Sequence, residues 1–145
     1  MAEAISRDFF VVRQKFQKGT KAWDAVVASL TVLIYFIIPP IAALDTVRFG
    51  WTPPAPDWLV ILGYVLLCGG FVGLTWAQSV NRHFEATVRI QSDRDHKVID
   101  TGPYASIRHP GYSFAIVHAA GIALALGSLV ALIPVALLVP LLAGR

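Results

Sequence analysis

The chain has 145 residues, 56% of them hydrophobic and only 14% charged, with a formal net charge of +3 and a mean hydropathy of +0.63. Soluble domains carry roughly 25% charged residues, so the composition excludes an ordinary soluble domain and points to an integral membrane protein of about one domain. A pI near 9.3 would suit nucleic acid, but the basic residues flank apolar runs and form no stripe or RNA-binding motif, which leaves membrane topology as their role.

Residues 1–24 interleave Arg7, Arg13, Lys15, Lys18 and Lys21 with Phe9, Phe10 and Phe16. That mixture suits a basic segment lying against an anionic membrane face and equally a basic tail that only fixes orientation. Residues 25–44 carry no charge and as a helix would reach about 30 Å, the thickness of the hydrocarbon core. Pro39-Pro40 is expected to kink or end this first span near its far side. After a short loop with Arg48, Trp51 and three prolines, residues 58–77 form a second uncharged span, in which Gly69 and Gly73 are expected to make the slim packing face. The single cysteine, Cys68, lies inside this span and cannot form an internal disulfide.

The long polar stretch runs from residue 78 to residue 110. Asn81, Glu85 and Arg89 share one helical face, so the second helix is expected to continue to about residue 91, with a loop over 92–110. Residues 113–143 are apolar, with His118 as their only ionisable group. A single helix over 113–143 would be about 46 Å long, too much for a bilayer of about 30 Å, and Gly127-Ser128 offers a break. Two short helices, roughly 111–126 and 129–143, are expected to form a hairpin, with Ala115, Ala119 and Ala123 on a slim face. The expected fold is therefore an all-α polytopic membrane protein of about four transmembrane helices, the last two a short hairpin. Arg48 is the one basic residue of the first loop, so the positive-inside rule places both termini and the 78–110 loop in the cytoplasm of an inner-membrane protein.

The densest chemistry is Thr101–Tyr112, T-G-P-Y-A-S-I-R-H-P-G-Y. Pro103 suits a turn or the start of a short helix, and Pro110 suits the first position of the next helix while disfavouring helix at His109. Arg108 and His109 are thereby pinned where a positive helix end favours anions. Arg108 suits a carboxylate or phosphate, His109 a proton or hydrogen bond near neutral pH, and Tyr104 and Tyr112 offer aromatic faces to a cation. Such a set fits a zwitterionic ligand. The same residues would also serve as an interfacial turn, with Arg108 on lipid headgroups and the tyrosines in the aromatic belt.

G-P-Y-x-x-I-R-H-P-G-Y, with H-K-V-I before it and Gly121 after it, resembles the isoprenylcysteine carboxyl methyltransferase and phospholipid methyltransferase family of membrane enzymes, over roughly Asn81 to Arg145. The resemblance implies S-adenosylmethionine as cofactor and a lipophilic or membrane-embedded methyl acceptor. It places His96, Gly102, Tyr104, Arg108, His109, Pro110 and Tyr112 at the cofactor, with Arg108 and His109 the candidate catalytic residues and Gly121 packing beside them. It also implies an acidic element beyond the hairpin, whereas this sequence stops at Leu142-Ala143-Gly144-Arg145. A truncated enzyme is the first expectation, a non-catalytic protein of the same fold the second, and a membrane reductase akin to steroid 5α-reductases a more distant third.

His83, His96, His109 and His118 lack the spacing of a metal site, so no metal is expected. The alternating acids and bases of 85–100 read as a solvated surface. His118, ionisable inside a span, is a functional hypothesis by default, with hydrogen bonding to a neighbouring helix the favoured reading. Nothing in the residues names a protein partner.

Overall fold

The structure, a computed structural model, describes residues 22–81 and 99–144. Among these residues it is all-helical, with four α-helices: α1 (Ala22–Ala43), α2 (Asp57–Val80), α3 (Pro110–Ala125) and α4 (Leu132–Ala143). A π-helical turn, Leu44–Phe49, extends α1, and a 3-10 turn, Gly102–Ala105, precedes α3.

Two helical stretches, Ala22–Phe49 and Asp57–Val80, are long and apolar enough to cross a membrane, while α3 and α4 are apolar but shorter. Only 11% and 17% of the most apolar windows of the two long stretches are buried, which is the reverse of a soluble core helix. Their outward faces carry Leu33, Phe36, Ile61, Val65, Phe71 and Val72, a surface stable against lipid chains and costly against water. The serine and threonine hydroxyls on these helices are satisfied internally, as lipid requires. Ser29 donates to the Ala25 carbonyl at 2.8 Å, Thr31 to Val27 at 2.9 Å and Thr75 to Phe71 at 2.7 Å.

Pro39 and Pro40 do not end α1. The helix runs through both to Ala43 and on into the π turn, which closes when Gly50 N–H donates to the Asp45 carbonyl at 2.7 Å. Gly50 has φ +59°, a left-handed conformation that only glycine adopts cheaply. At its other end, α2 stops at Val80, where Asn81 is extended. The expected continuation to residue 91 and the basic segment up to residue 21 lie outside the described residues.

The tightest packing joins α2 to α3. A Cβ added to Gly63 would lie 2.2 Å from Ala125 N, one on Gly121 would lie 2.2 Å from Leu67 N, and one on Gly70 would lie 2.5 Å from His118 N. The two backbones therefore touch, and dispersion between them replaces side-chain interdigitation. The α2 face differs from the Gly69–Gly73 pair expected from spacing. Gly73 meets the Phe114 ring, but Gly69 meets nothing within 4 Å. Gly69 is turned about 100° from Gly70 on the helix, and the position of Gly121 and His118 on α3 selects Gly63 and Gly70.

The hairpin reverses at Gly127, φ +74°, with Ser128 N–H on the Ala123 carbonyl at 3.1 Å and Gly127 N–H on Leu124 at 2.9 Å, a Schellman ending of α3. Ser128 then caps the next turn, its Oγ accepting from Ala131 N–H at 3.1 Å. The same hydroxyl donates to Asp45 Oδ2 at 2.6 Å, and Asp45 also accepts from Thr52 N–H at 2.9 Å and Thr52 Oγ1 at 2.8 Å. Asp45 and Ser128 are fully buried, so this network ties the end of α1 to the hairpin tip. Beneath it, Ile38, Ala42, Ala119, Ala123, Val135 and Leu138 form the core of α1, α3 and α4. Ala115 is only half-buried, and its carbonyl accepts the Tyr35 hydroxyl.

Alanine substitutions separate the two glycine faces. Gly121→Ala is expected to lose about 1–3 kcal/mol through overpacking, whereas Gly69→Ala gains up to about 1 kcal/mol of helix propensity. Reversible unfolding of both variants in detergent micelles measures the difference.

Candidate functional site

The Thr101–Tyr112 segment is seated on the end of α2. Gly102 has φ +59°, and a Cβ there would lie 3.0 Å from Val80 Cγ2 and 3.5 Å from Trp76 Nε1, so a bare glycine lets the turn close against that helix. Pro103 supplies a fixed φ at the second residue of the turn and is buried. Tyr104 N–H bonds the Thr101 carbonyl at 3.2 Å and Ile107 N–H the Pro103 carbonyl at 3.0 Å. Across the junction, Asn81 Nδ2 donates to the Tyr104 hydroxyl at 3.2 Å. The end of α2 thereby fixes the orientation of a motif tyrosine 23 residues away.

Pro110 and Gly111 are buried at the start of α3, while Arg108 and His109 stay exposed in front of it. His109 is the N-cap residue at φ −127°, ψ 63°, outside the helical region as the following proline requires. Its carbonyl accepts from the Tyr112 and Ser113 amides at 3.1 and 3.2 Å. Those first-turn donors are therefore already used, and what stands open to an anion is the Arg108 guanidinium beside the positive end of α3. The His109 and Tyr112 rings stack with centroids 5.4 Å apart and planes 14° from parallel, making one aromatic plate next to the arginine.

Gly102 and Tyr104 are thus seated on the end of α2, while His109 and Tyr112 stack at the start of α3 with Arg108 exposed before them and Pro110 buried. His96 lies outside the described residues. Among the described residues, no three His, Cys, Asp or Glu side chains gather as a metal site. An exposed guanidinium has the chemistry to pair with a carboxylate or phosphate, and stacked rings offer a π surface.

The family model of phospholipid methyltransferases matches residues 58–143, from the start of α2 to the end of α4. The chain belongs to the phospholipid methyltransferase family. Neither a curated protein nor a solved structure matches it. The matched part holds the glycine-packed pair, the motif segment and the hairpin, and leaves out α1. As a member of a membrane methyltransferase family, the chain carries its most conspicuous polar motif where two apolar helices meet.

Spacing gave no sign of three contributors. The Asn81–Tyr104 bond crosses the polar stretch, and Trp76 and Val80 meet the motif only through the tertiary seat of Gly102. Asp45 reads as a loop acid in sequence and is instead the buried anchor of the far end. A run of Asp45, Gly50 and Thr52 directly after a span would have been the signal, since acid, glycine and hydroxyl together close a helix end.

Gly102→Ala forces a side chain into the left-handed region, at about 1–2 kcal/mol. Hydrogen–deuterium exchange should rise across residues 101–108 in this variant while α1 is unchanged.

Proposed function

We propose that the chain is an S-adenosylmethionine-dependent methyltransferase of the isoprenylcysteine carboxyl methyltransferase type, acting from the cytoplasmic side on a lipophilic or membrane-embedded acceptor. The observation that carries this reading is the exposed Arg108 beside the stacked His109–Tyr112 plate, held in front of an apolar helix in a chain of this family. The residues present fit the cofactor's chemistry. Arg108 matches a carboxylate by paired N–H donors, and the aromatic plate matches a flat base or a sulfonium. Gly102 and Pro103 keep this surface pressed to α2, and the Asn81 amide holds Tyr104 in place.

When bound, S-adenosylmethionine supplies a methyl group on a positively charged sulfur, already activated for transfer. The protein's task is then alignment and exclusion of water rather than covalent catalysis. Arg108 anchors, His109 and Tyr112 orient, and His109 is placed to take or hold a proton at the acceptor. The apolar outer faces of the helices supply the route for an acceptor with a hydrocarbon tail.

Equilibrium binding of S-adenosylmethionine to the chain in nanodiscs tests the proposal. Arg108→Ala should weaken binding about ten- to a hundredfold, the range for losing hydrogen bonds to a charged group, and Arg108→Lys should weaken it less. Arg48→Ala, at the opposite end and resting over the Phe49 ring at 5.7 Å, should leave it unchanged. Equal affinity of Arg108→Ala and the parent chain would overturn the assignment.

A further inference from the structure

Asn81 closes α2, its backbone N–H bonded to the Ala77 carbonyl at 3.1 Å, and its side-chain amide donates to the Tyr104 hydroxyl at 3.2 Å. That bond has a direction with a chemical consequence. An amide nitrogen only donates, so the phenol oxygen is the acceptor and the phenol keeps its own proton. Among the described residues no acceptor takes that proton, the Asn81 contact being the one hydrogen bond of this hydroxyl. The ring is half-buried, so in the empty site the proton is given to water. A ligand carrying a carboxylate, phosphate or hydroxyl oxygen takes the water's place.

The phenol is also held at both ends. Its backbone belongs to the turn that Gly102 closes against Val80 and Trp76, with Tyr104 N–H on the Thr101 carbonyl at 3.2 Å. Its hydroxyl is held by Asn81. Both supports stand on α2, whose backbone is pressed on that of α3. The cost of ordering the side chain is therefore met before a ligand arrives.

We propose that Asn81 is a positioning residue for the motif: by donating to the Tyr104 oxygen it leaves the Tyr104 proton aimed at an oxygen of the ligand. Asn81 acts through Tyr104 and touches no reacting group itself. The role rests on the reading given above for the ligand's identity, S-adenosylmethionine, whose carboxylate and ribose hydroxyls supply such oxygens. A reversed amide, with Oδ1 towards the phenol, would consume the proton and leave Tyr104 nothing to give. The two orientations predict opposite effects of removing the amide.

Affinity for S-adenosylmethionine in nanodiscs is compared for the parent chain, Tyr104→Phe, Asn81→Leu and the double variant. Tyr104→Phe keeps the ring and its seat, and should weaken binding about fivefold, the value of one hydrogen bond. Asn81 has φ −95° and ψ 99°, an extended conformation that leucine also adopts, and Asn81→Leu should weaken binding about threefold as the phenol loses its aim. In the Tyr104→Phe background the same change should cost nothing further, the mark of two residues acting as a unit. Without ligand, the tyrosine ring doublet in ultraviolet resonance Raman difference spectra against the matched Tyr104→Phe chain should move towards a donor-only phenol in Asn81→Leu. Asn81→Leu binding as tightly as the parent, or costing as much with Phe at position 104 as with Tyr, would overturn the role of Asn81, and so would parent-like affinity of Tyr104→Phe. A parent chain that binds no S-adenosylmethionine overturns the cofactor reading instead, and the Raman shift still decides the direction of the bond.

Discussion

The contact on which the remaining structure depends is the backbone-to-backbone approach of α2 and α3 at Gly63, Gly70 and Gly121. Lipid gives no hydrophobic reward for pressing one apolar helix on another, so close packing of atoms and the hydrogen bonds that survive must hold the pair. Every added methyl at these positions lands inside the neighbour's main chain. The pair is consequently locked in register, and α2's end at Val80–Asn81 stands fixed against the first turn of α3. The Gly102 turn needs only that fixed corner to sit in.

A second, chemically different fastening secures the opposite end. Asp45 receives Thr52 and Ser128 while Ser128 caps the turn leading into α4. A buried carboxylate is costly unless its oxygens are filled, and here both are. The negative charge also lies near the amide-rich start of α4, where the helix dipole favours it. The molecule is thus held by dispersion along α2–α3 and by polar bonds at the hairpin tip, two devices that survive without water.

How much of this was legible in sequence differs by level. Hydropathy located both long helices, because absence of charge over a membrane's width needs no tertiary knowledge. The reversal at Gly127-Ser128 was legible for a similar reason, since a positive φ and a cap are local demands that glycine and serine meet. The packing face was not. Gly69 and Gly73 have the spacing of an interface, yet the partner's Gly121 decides which face is used, and sequence spacing carries no record of the partner's rotation. Pro39-Pro40 marked the far side of the first span, where the α-helix gives way to the π turn three residues later, because a proline pair removes hydrogen bonds from a helix without fixing the residue at which it ends. Within the motif, Pro103 and Pro110 announced their backbone roles, while the Asn81–Tyr104 bond depended on the fold.

These unequal attachments bear on how a membrane methyltransferase would divide its work. Transfer of a methyl group tolerates little misalignment, since much of the barrier is removed by holding donor and acceptor in line. That demand suits the α2–α3 corner, whose backbones are in contact and whose motif turn is bonded at both ends. A lipid acceptor, by contrast, must arrive sideways from the bilayer, and a wall sealed by glycine contacts would exclude it. α1 meets α3 and α4 but hardly meets α2, and the family match begins only after α1. The part of the chain common to the family therefore contains the backbone-to-backbone contact, and α1 lies outside it. On the proposed reading, the α2–α3 corner would hold the cofactor in one geometry, and α1, which packs on α3 and α4 instead, is the element left free to suit the acceptor.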